Sequence, residues 1–450
     1  MARSGVKVFQ SLGRRRDVSA DELERMQAQL EGMTLREITG MVERTSPVGG
    51  AKILRMLPPE RSLAVFNVLN PRHQADIVSA LGDDTVVTYF GSMGAEDRVA
   101  LLDNLPAQIA ERLMRDLDED DQRVTNVVLG YRRGTVGRTM SPAVPEVTPG
   151  MTVQEVVDML RGDVEKLETI YTIPVVDEDR VLVGVTSLRA LFRSYSDDLI
   201  ADVLTGPTSV GAMDEVEDAA RWLISTNMLA VPVTDEDGRL VGIFTYDEAQ
   251  DVVEHADTED SARSGASEPL GKPYLSTPVF QLVRSRIVWL LVLAVSAILT
   301  VQVLDIFEST LEKAVVLSLF IPLLTGTGGN TGNQAATTVT RALALGDVQK
   351  RDVLDVMWRE LRVGMTLGAV LGTLGLGVAT VAYGMHIGIV IGATLFLICS
   401  ISATVGGMMP IVAKSVGADP AVFSNPFIST FCDATGLIIY FFIAKAVLGI

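Results

Sequence analysis

The sequence predicts a multidomain protein with three parts: an all-α helical-repeat N-domain, an α/β tandem and a transmembrane domain of five helices. Residues 1–272 carry 28 Lys and Arg against 47 Asp and Glu, whereas residues 273–450 carry 10 against 9. Two internal repeats fill the acidic part, and five apolar stretches fill the nearly neutral part. We therefore expect an acidic soluble part followed by a membrane domain.

The charge of the soluble part excludes some partners and favours others. Its net charge of −19 would repel the phosphates of nucleic acids, so we expect no nucleic-acid binding. Carboxylates at this density favour divalent cations as partners. Cys399 and Cys432, the two cysteines, lie in the apolar part, which gives no disulfide framework and no Cys/His zinc spacing. The N-terminal segment has no apolar core of signal-peptide length, so we expect no cleaved leader.

The first repeat has a period of 12 residues and covers residues 53–125. Its landmarks are Leu57-Pro-Pro-Glu60, Leu69-Asn-Pro-Arg72, Leu81-Gly-Asp-Asp84, Met93-Gly-Ala-Glu96, Leu105-Pro-Ala-Gln108 and Leu117-Asp-Glu-Asp120. Each landmark is a turn or N-cap signal followed by an apolar pattern, and 12 residues suffice for a turn plus about two helical turns. We expect an N-terminal extension at 1–50 and a stack of short helices at 51–135.

The second repeat has a period of 58 residues. Ile173-Pro-Val-Val-Asp-Glu-Asp-Arg-Val-Leu-Val-Gly184 realigns on Val231-Pro-Val-Thr-Asp-Glu-Asp-Gly-Arg-Leu-Val-Gly242. Each copy is typical of a strand, an acidic turn, a second strand and a helix, and Asp-Gly at 237–238 is a hairpin signal. The pair resembles a tandem of CBS domains, which we place at 136–253.

An acidic stretch follows the tandem and leads to the first apolar stretch. Asp247, Asp251 and Glu254 fall on one face at helical spacing. This pattern fits either a solvated helix or a cation-responsive arm, and we expect a connecting helix at 254–280.

Five stretches are long and apolar enough to cross a bilayer, which needs roughly 20 residues, within a transmembrane domain at 281–450. They are Ile287–Leu304, Ala314–Thr340, Val363–Met385, Ile387–Ala413 and Pro420–Ala444. Lys and Arg concentrate in the connections after the second and fourth stretches. By the positive-inside rule we expect the N-terminal domains in the cytosol and the C-terminus outside. We expect a multi-pass protein of the plasma membrane.

Asp433 is the only Asp, Glu, Lys or Arg in the stretch Pro420–Ala444. A mid-span carboxylate costs roughly 2.5–3.5 kcal/mol on the lenient insertion scale, so such a residue generally faces a pore or a partner. The segment Gly326-Thr-Gly-Gly-Asn-Thr-Gly-Asn-Gln334 lies in the second stretch. It favours irregular backbone whose exposed carbonyls bind a hydrated cation, with helix packing by the glycines as the alternative. Pro426 is expected to break the last stretch ahead of Asp433.

These motifs together resemble the MgtE family of magnesium channels. The residues that carry the resemblance are the glycine-rich segment 326–334, Ala418-Asp-Pro-Ala-Val-Phe-Ser-Asn-Pro426 and Asp433-Ala-Thr-Gly436. The resemblance implies a non-enzymatic homodimer embedded in lipid, with the pore at the subunit interface and Mg²⁺ as the conducted and regulating ion. It also implies that Asp433 is the selectivity carboxylate, accompanied by Gly326, Gly329, Asn333, Thr337 and Asn425.

The resemblance further implies gating by cytosolic Mg²⁺, which would bridge acidic faces of the N-domain, the tandem and the connecting helix. By motif position the candidates are Glu96, Asp97, Glu215, Glu217, Glu248, Asp251, Glu259, Asp260 and Asp419. Bridging carboxylates with a dication would remove their mutual repulsion and close the pore.

The sequence departs from the family's pattern at two places. Tyr131-Arg-Arg-Gly134 is basic where the family has an acidic segment, so we expect one bridging site to be missing or replaced by a fixed salt bridge. The nucleotide element of CBS domains is altered to Ser187-Leu-Arg-Ala190 and Thr245-Tyr-Asp-Glu248, which weakens the expectation of nucleotide binding.

Other functions compete with this interpretation. An ion-coupled carrier for another divalent cation, such as Co²⁺ or Mn²⁺, also uses broken helices and a midplane acid. An intramembrane aspartyl protease would need two close carboxylates, whereas only Asp433 lies deep in a span.

Overall fold

The structure is a computed structural model that describes residues 20–81, 84–270, 274, 277–417 and 425–450. It divides into two compact units. The first contains residues 1–256 and 270–277, and the second contains residues 257–269 and 278–450.

Short helices form the N-terminal part of the first unit. They are α1 (Ala20–Glu31), α2 (Leu35–Glu43), α3 (Pro47–Met56), α4 (Pro59–Asn67), α5 (Pro71–Leu81), α6 (Asp84–Gly91), α7 (Ala95–Leu102), α8 (Ala107–Asp116) and α9 (Glu119–Gly130). Most of their starts, from Leu35 through Glu119, recur every 12 residues, as the repeat predicts. Proline opens α3, α4 and α5, because a missing N–H costs nothing in the first turn of a helix.

The helical repeat begins earlier in the chain than the sequence landmarks indicated. Met26, Leu30 and Ile38 are buried in the same apolar core as Ile77 and Leu101. The expected boundary at residue 51 therefore falls inside the helical domain, which reaches back at least to α1. α2 starts on the 12-residue period and has a capping box between Thr34 and Glu37, an N-cap signal ahead of the landmarks used to define the repeat. The packing of Met26 and Leu30 shows that α1 belongs to the same domain.

The tandem repeat forms two similar α/β halves. Its elements are α10 (Val153–Asp163), β1 (Thr172–Val176), β2 (Leu182–Ser187), α11 (Leu188–Arg193), α12 (Ile200–Val203), β3 (Val210–Gly211), α13 (Val216–Thr226), β4 (Ala230–Thr234) and β5 (Leu240–Thr245). β1 pairs antiparallel with β2, and β4 pairs antiparallel with β5 and parallel with β3. This arrangement confirms the predicted strand–turn–strand–helix order.

The two hairpins match residue by residue at the period of 58. The register shifts between Val175 and Val176 in one hairpin and between Val233 and Thr234 in the other. Their turns place Arg180 and Gly238 at equivalent positions with φ of 64° and 79°. This left-handed region suits glycine, so the first copy tolerates an arginine where the second has the favoured residue.

The connecting helix α14 covers Tyr246–Ser264 and begins earlier than the predicted start at residue 254. Tyr246 follows β5 directly, so the acidic face identified in the sequence belongs to one continuous helix. α14 contributes its first part to one unit and the remainder to the other.

The second unit is built from long helices. They are α15 (Val279–Ile306), the short α16 (Glu308–Lys313), α17 (Ile321–Ala344), α18 (Val353–Tyr383), α19 (Met385–Ser415) and α20 (Asn425–Leu448). Within the described residues, four helical segments are long and apolar enough to cross a membrane: 279–306, 350–383, 385–415 and 427–448. α17 has 24 residues, enough for about 36 Å, but its Gly, Thr and Asn content lowers its hydropathy. Five spans remain a prediction.

Glycines allow the long helices of this unit to pack closely. A Cβ built on Gly364 or Gly368 of α18 would lie 2.6 Å and 2.7 Å from backbone carbonyl oxygens of α19. On Gly372 it would lie 2.6 Å from the Gly392 oxygen. Small residues let helix backbones approach in this way in membranes, where van der Waals packing drives association.

Candidate functional site

One face of α17 collects four of the predicted membrane site residues. Gly326, Gly329, Asn333 and Thr337 follow one another at intervals of three or four residues, which places them on one side of a helix. Gly326 and Thr337, at the two ends of this row, are exposed, whereas Gly329 is buried.

Helix α20 supplies the facing side chains at the middle of that row. Asn333 donates from Nδ2 to Ser429 Oγ at 3.0 Å. A Cβ built on Gly329 would lie 3.7 Å from Asp433 Oδ1 and 3.8 Å from Ser429 Cβ. Ser429 and Asp433 are one turn apart on α20, so the carboxylate lies one turn along from the amide–hydroxyl pair.

The oxygen atoms of this site are not fully used by the protein. Asn333 Oδ1 is buried and has no hydrogen-bond partner in the described part of the chain. Buried acceptors are normally satisfied by protein or water, so an orphan acceptor requires an explanation. A hydrated cation beside the Asp433 carboxylate would supply water O–H groups to it. The donor set of carboxylate, amide and hydroxyl oxygens is of the hard type that Mg²⁺ prefers.

The predicted irregular backbone of the glycine-rich segment is wrong. Residues 321–344 form a continuous α-helix, so their carbonyls accept hydrogen bonds within the helix instead of facing an ion. Gly328 and Gly332 serve helix packing, which was the alternative. A Cβ on Gly328 would lie 2.7 Å from Ile398, one on Gly332 would lie 2.6 Å from Ile428, and one on Gly406 of α19 would lie 2.8 Å from Gly332 Cα.

Two predicted residues cannot be placed by their side chains. Asp419 lies outside the described residues, and Asn425 is described only as the first residue of α20. Residues 418–424 also lie outside the described residues, so the break expected at Pro426, ahead of Asp433, stays a prediction.

A second group of predicted residues gathers in the first unit. Glu96 and Asp97 lie in the first turn of α7, and Glu248 and Asp251 lie on α14. Glu168, in the segment after α10, joins them, and so does Asp247. We call these six carboxylates the acidic cluster: Glu96, Asp97, Glu168, Asp247, Glu248 and Asp251. Asn70 Nδ2 also lies 3.3 Å from His255 Nε2, a further contact between the helical repeat and α14.

Electrostatics in the acidic cluster disfavours negative charge. Burial, together with the charges of Glu168 and Asp97, raises the pKa of Glu96 to about 7. Burial and the surrounding carboxylates raise the pKa of Glu248 well above its usual range. Each of these two residues has one buried carboxylate oxygen without a hydrogen-bond partner among the described residues.

The pKa values of Asp97, Asp251 and Glu168 are also raised. Desolvation by the surrounding protein and the charges of Asp251 and Asp247 raise the pKa of Asp97, although its side chain retains exposed surface. Burial and neighbouring acids, Glu254 included, raise the pKa of Asp251. Burial and the charge of Asp247 raise that of Glu168. Like charges and desolvation both favour neutralisation, by a proton or by a cation.

Three further candidates are already neutralised by arginine. Glu215 pairs with Arg132 at 3.0 Å, and Glu217 pairs with Arg221 at 2.9 Å. Glu259 pairs with Arg263 on α14, next to Asp260. The structure therefore brings four of the predicted sensor acids together and gives arginine partners to three others.

The described side chains of the acidic cluster are not positioned to coordinate one ion directly. In the described part of the chain, no three His, Cys, Asp or Glu side chains are positioned to hold a metal ion. The cluster fits a cation that keeps several of its waters and reaches carboxylates through them, as Mg²⁺ does because it dehydrates reluctantly.

The architecture defines a class of protein: a multi-pass membrane protein for divalent cations, with a soluble part that carries a CBS tandem. Family comparison agrees. The chain belongs to the MgtE family of divalent cation transporters. The family's transporter domain ("Divalent cation transporter") matches residues 321–443, the "MgtE intracellular N domain" matches 33–134, and CBS domains match 136–197 and 200–254.

Relatives resemble the chain over most of its length. The magnesium transporter MgtE of Thermus thermophilus is 35% identical over 88% of this chain and 89% of its own length. That of Enterococcus faecalis is 34% identical over 71% of this chain and 70% of its own. Among solved structures, the cytosolic domain of the Mg²⁺ channel MgtE in complex with ATP is 29% identical, covers 50% of this chain and 93% of that one, and has a TM-score of 0.47.

Proposed function

We propose that this chain is a Mg²⁺-selective channel of the plasma membrane that mediates Mg²⁺ uptake as a homodimer. The observation that carries the proposal is the Asp433 carboxylate beside Gly329, one turn from the Asn333–Ser429 pair. A carboxylate in an apolar span costs free energy, and the Asn333 amide oxygen, which has no partner among the residues that the structure describes, extends the same oxygen surface. The names of the relatives support Mg²⁺ as the transported ion.

The homodimer is proposed to complete this pathway. Gly326 and Thr337 end the polar row of α17 and are exposed in the single chain. A two-fold axis along this row would place two Asp433 carboxylates opposite each other and match the 2+ charge of the ion. The N-terminal domains would lie in the cytosol and the C-terminus outside, as the Lys and Arg distribution predicts.

Gating by cytosolic Mg²⁺ is proposed to act through the acidic cluster. Without a cation, the carboxylates of α7 repel those of α14 and the segment containing Glu168. A hydrated dication would remove this repulsion and hold the helical domain against the tandem, which we propose as the closed state. High cytosolic Mg²⁺ would then reduce uptake.

Nucleotide binding is not included in the proposal. In the first CBS copy, Ser187 Oγ accepts from Ala190 N and caps α11, and no carboxylate follows at that place. In the second copy, Glu248 belongs to the acidic cluster.

Growth of a magnesium-auxotrophic strain tests the conduction proposal. We expect the wild-type chain to restore growth at low Mg²⁺ and Asp433→Ala to fail at equal membrane abundance, because the variant lacks the carboxylate of the pathway. Asp347→Ala, which removes an exposed acid between α17 and α18, is the matched control and should restore growth. Full growth with Asp433→Ala would remove the proposed role of this residue.

A further inference from the structure

An arginine-rich junction connects the helical domain to the CBS tandem. Arg138 Nη2 donates to Asp103 Oδ1 at 2.8 Å, and Arg133 Nη2 donates to the same oxygen at 2.8 Å. The Arg138 side chain is 12% exposed and that of Asp103 is 22% exposed. Arg138 also donates to the carbonyl oxygens of Leu129 and Tyr131, where α9 ends.

The residues next to Arg138 are anchored in the tandem. Val136 N donates to Asp214 O at 3.0 Å, and Gly137 N donates to Ala212 O at 2.8 Å. Val136 is fully buried in the core of the second CBS copy. The Arg138–Asp103 pair therefore joins the tandem to the helical domain. The positive charge of this ion pair comes from the Arg138 guanidinium.

Helix α7 links this junction to the acidic cluster. Its first turn carries Glu96 and Asp97, and its C-cap residue is Asp103. The helix has eight residues, so its ends are about 12 Å apart. One end is held by two arginines, and the other faces carboxylates that repel it unless a proton or cation intervenes.

Two further contacts stiffen the junction. Arg132 pairs with Glu215, on the exposed side of the connection. The Tyr131 ring lies so close to Gly137 that a Cβ there would be 2.6 Å from ring carbons. A guanidinium bound to a carboxylate and to two carbonyl oxygens holds its partners in a more defined geometry than one exposed ion pair does.

We propose that Arg133, Arg138 and Asp103 form a metal-independent joint between the helical domain and the CBS tandem, and that α7 turns about it. Loss of cations then opens only the acidic edge, while the joint stays closed. This inference rests on the proposed gating for the identity of the trigger, but the joint itself is a property of the fold. The helical domain thus rotates and stays attached.

Distances measured by pulsed EPR in the full chain in lipid nanodiscs test the joint. One spin-label pair, at Ser92 and Gln250, reports on the acidic edge, and another, at Asn104 and Met213, reports on the joint; all four positions are exposed. When Mg²⁺ is replaced by chelator, we expect the first distance to lengthen by several ångströms or more. The second should change by less than the width of its distribution.

The variant Asp103→Asn tests directly whether the carboxylate shared by the two arginines holds the joint together. It keeps the side-chain shape and removes the charge that the two arginines share, so the Asn104–Met213 distribution should broaden in chelator. Asp120→Asn is the matched control, since it removes an ion pair to Arg123 in which both partners are exposed, at 85% and 74%. It should leave both distances unchanged.

The outcomes separate the joint from the gating. Equal lengthening of both wild-type distances on cation removal would overturn the joint and leave cation gating intact. No change in either wild-type distance on cation removal would contradict cation gating. The Asn104–Met213 distance in the Asp103→Asn variant would then be the test of the joint. A narrow Asn104–Met213 distribution in that variant, in chelator, would overturn the joint.

Discussion

Single residues explain why a cation fits both candidate sites. At the membrane site, Asn333 donates its amide N–H to Ser429, and its oxygen has no hydrogen-bond partner among the described residues. This pair lies one turn from Asp433. In the acidic cluster, Glu96 and Glu248 each have one buried carboxylate oxygen that finds no hydrogen-bond partner within the described part of the chain. Both sites therefore contain more acceptors than donors, which a cation with its waters can satisfy.

The raised pKa of Glu96 leads to a pH prediction. The folded-state pKa of about 7 exceeds the usual value of 4.5, so the folded protein holds this proton more tightly than the unfolded chain. In chelator the penalty for its charge is fully present above pH 7 and disappears as the pH falls towards 5. We expect the thermal unfolding midpoint to rise as the pH is lowered from 8 to 6, and Mg²⁺ to weaken this dependence.

The variant Glu96→Gln should have the same effect on stability as protonation of Glu96, because both remove the negative charge. At pH 8 in chelator it should raise the free energy of unfolding, on the order of 1–3 kcal/mol, and flatten the pH dependence. Glu236→Gln, at an exposed turn outside the cluster, is the control and should behave as wild type. An unchanged slope between pH 8 and pH 6 in Glu96→Gln would contradict the electrostatic account of the cluster.

At the scale of elements, the glycines of α17 show where sequence reasoning failed. Glycine and asparagine lower helix propensity, so a break in the segment 326–334 was a reasonable expectation. Tertiary packing instead favours a continuous helix, because Gly328 and Gly332 let α19 and α20 approach closer than any side chain would allow. Which glycines face a pore and which face a helix depends on neighbours that the sequence does not identify.

Gly406→Ala tests this packing. The new methyl group would lie 2.8 Å from Gly332 Cα, a backbone atom that cannot move aside, so we expect a destabilisation of about 1–3 kcal/mol and a lower thermal midpoint in detergent. Gly377→Ala is the matched control on α18, because no atom of the described residues outside its own helix turn lies within 4 Å of the new Cβ. The change should be neutral or slightly stabilising. Equal midpoints for the two variants would contradict the close crossing of α17 and α19.

Sequence patterns predicted elements better than contacts between them. The 12- and 58-residue periods locate most helix starts and both hairpins, and the spacing of Gly326, Gly329, Asn333 and Thr337 gives their shared face. Glu168 was missed, because it lies in an irregular segment with no motif and reaches the cluster only through folding. The ion pairs of Glu217 with Arg221 and of Glu259 with Arg263 were also missed, although each arginine lies four residues after its glutamate on the same helix.

At the scale of the whole molecule, the soluble part and the membrane part differ in net charge. The soluble part carries the excess of acids and the membrane part is nearly neutral, with Asp433 as the acid of the last helix. The basic departure at 131–134 fits this division, since the structure uses Arg132 and Arg133 in fixed ion pairs at the domain junction. Membership of the MgtE family accounts for the order of the domains.

The most direct test of the central claim is Mg²⁺ flux through the purified chain in proteoliposomes that contain a Mg²⁺-sensitive dye. With a Mg²⁺ gradient and no other ion gradient, we predict flux for wild type, at least tenfold less for Asp433→Asn, and wild-type flux for Asp347→Asn. Flux that requires a second ion gradient would indicate a coupled carrier. Equal flux in wild type and Asp433→Asn would contradict the account.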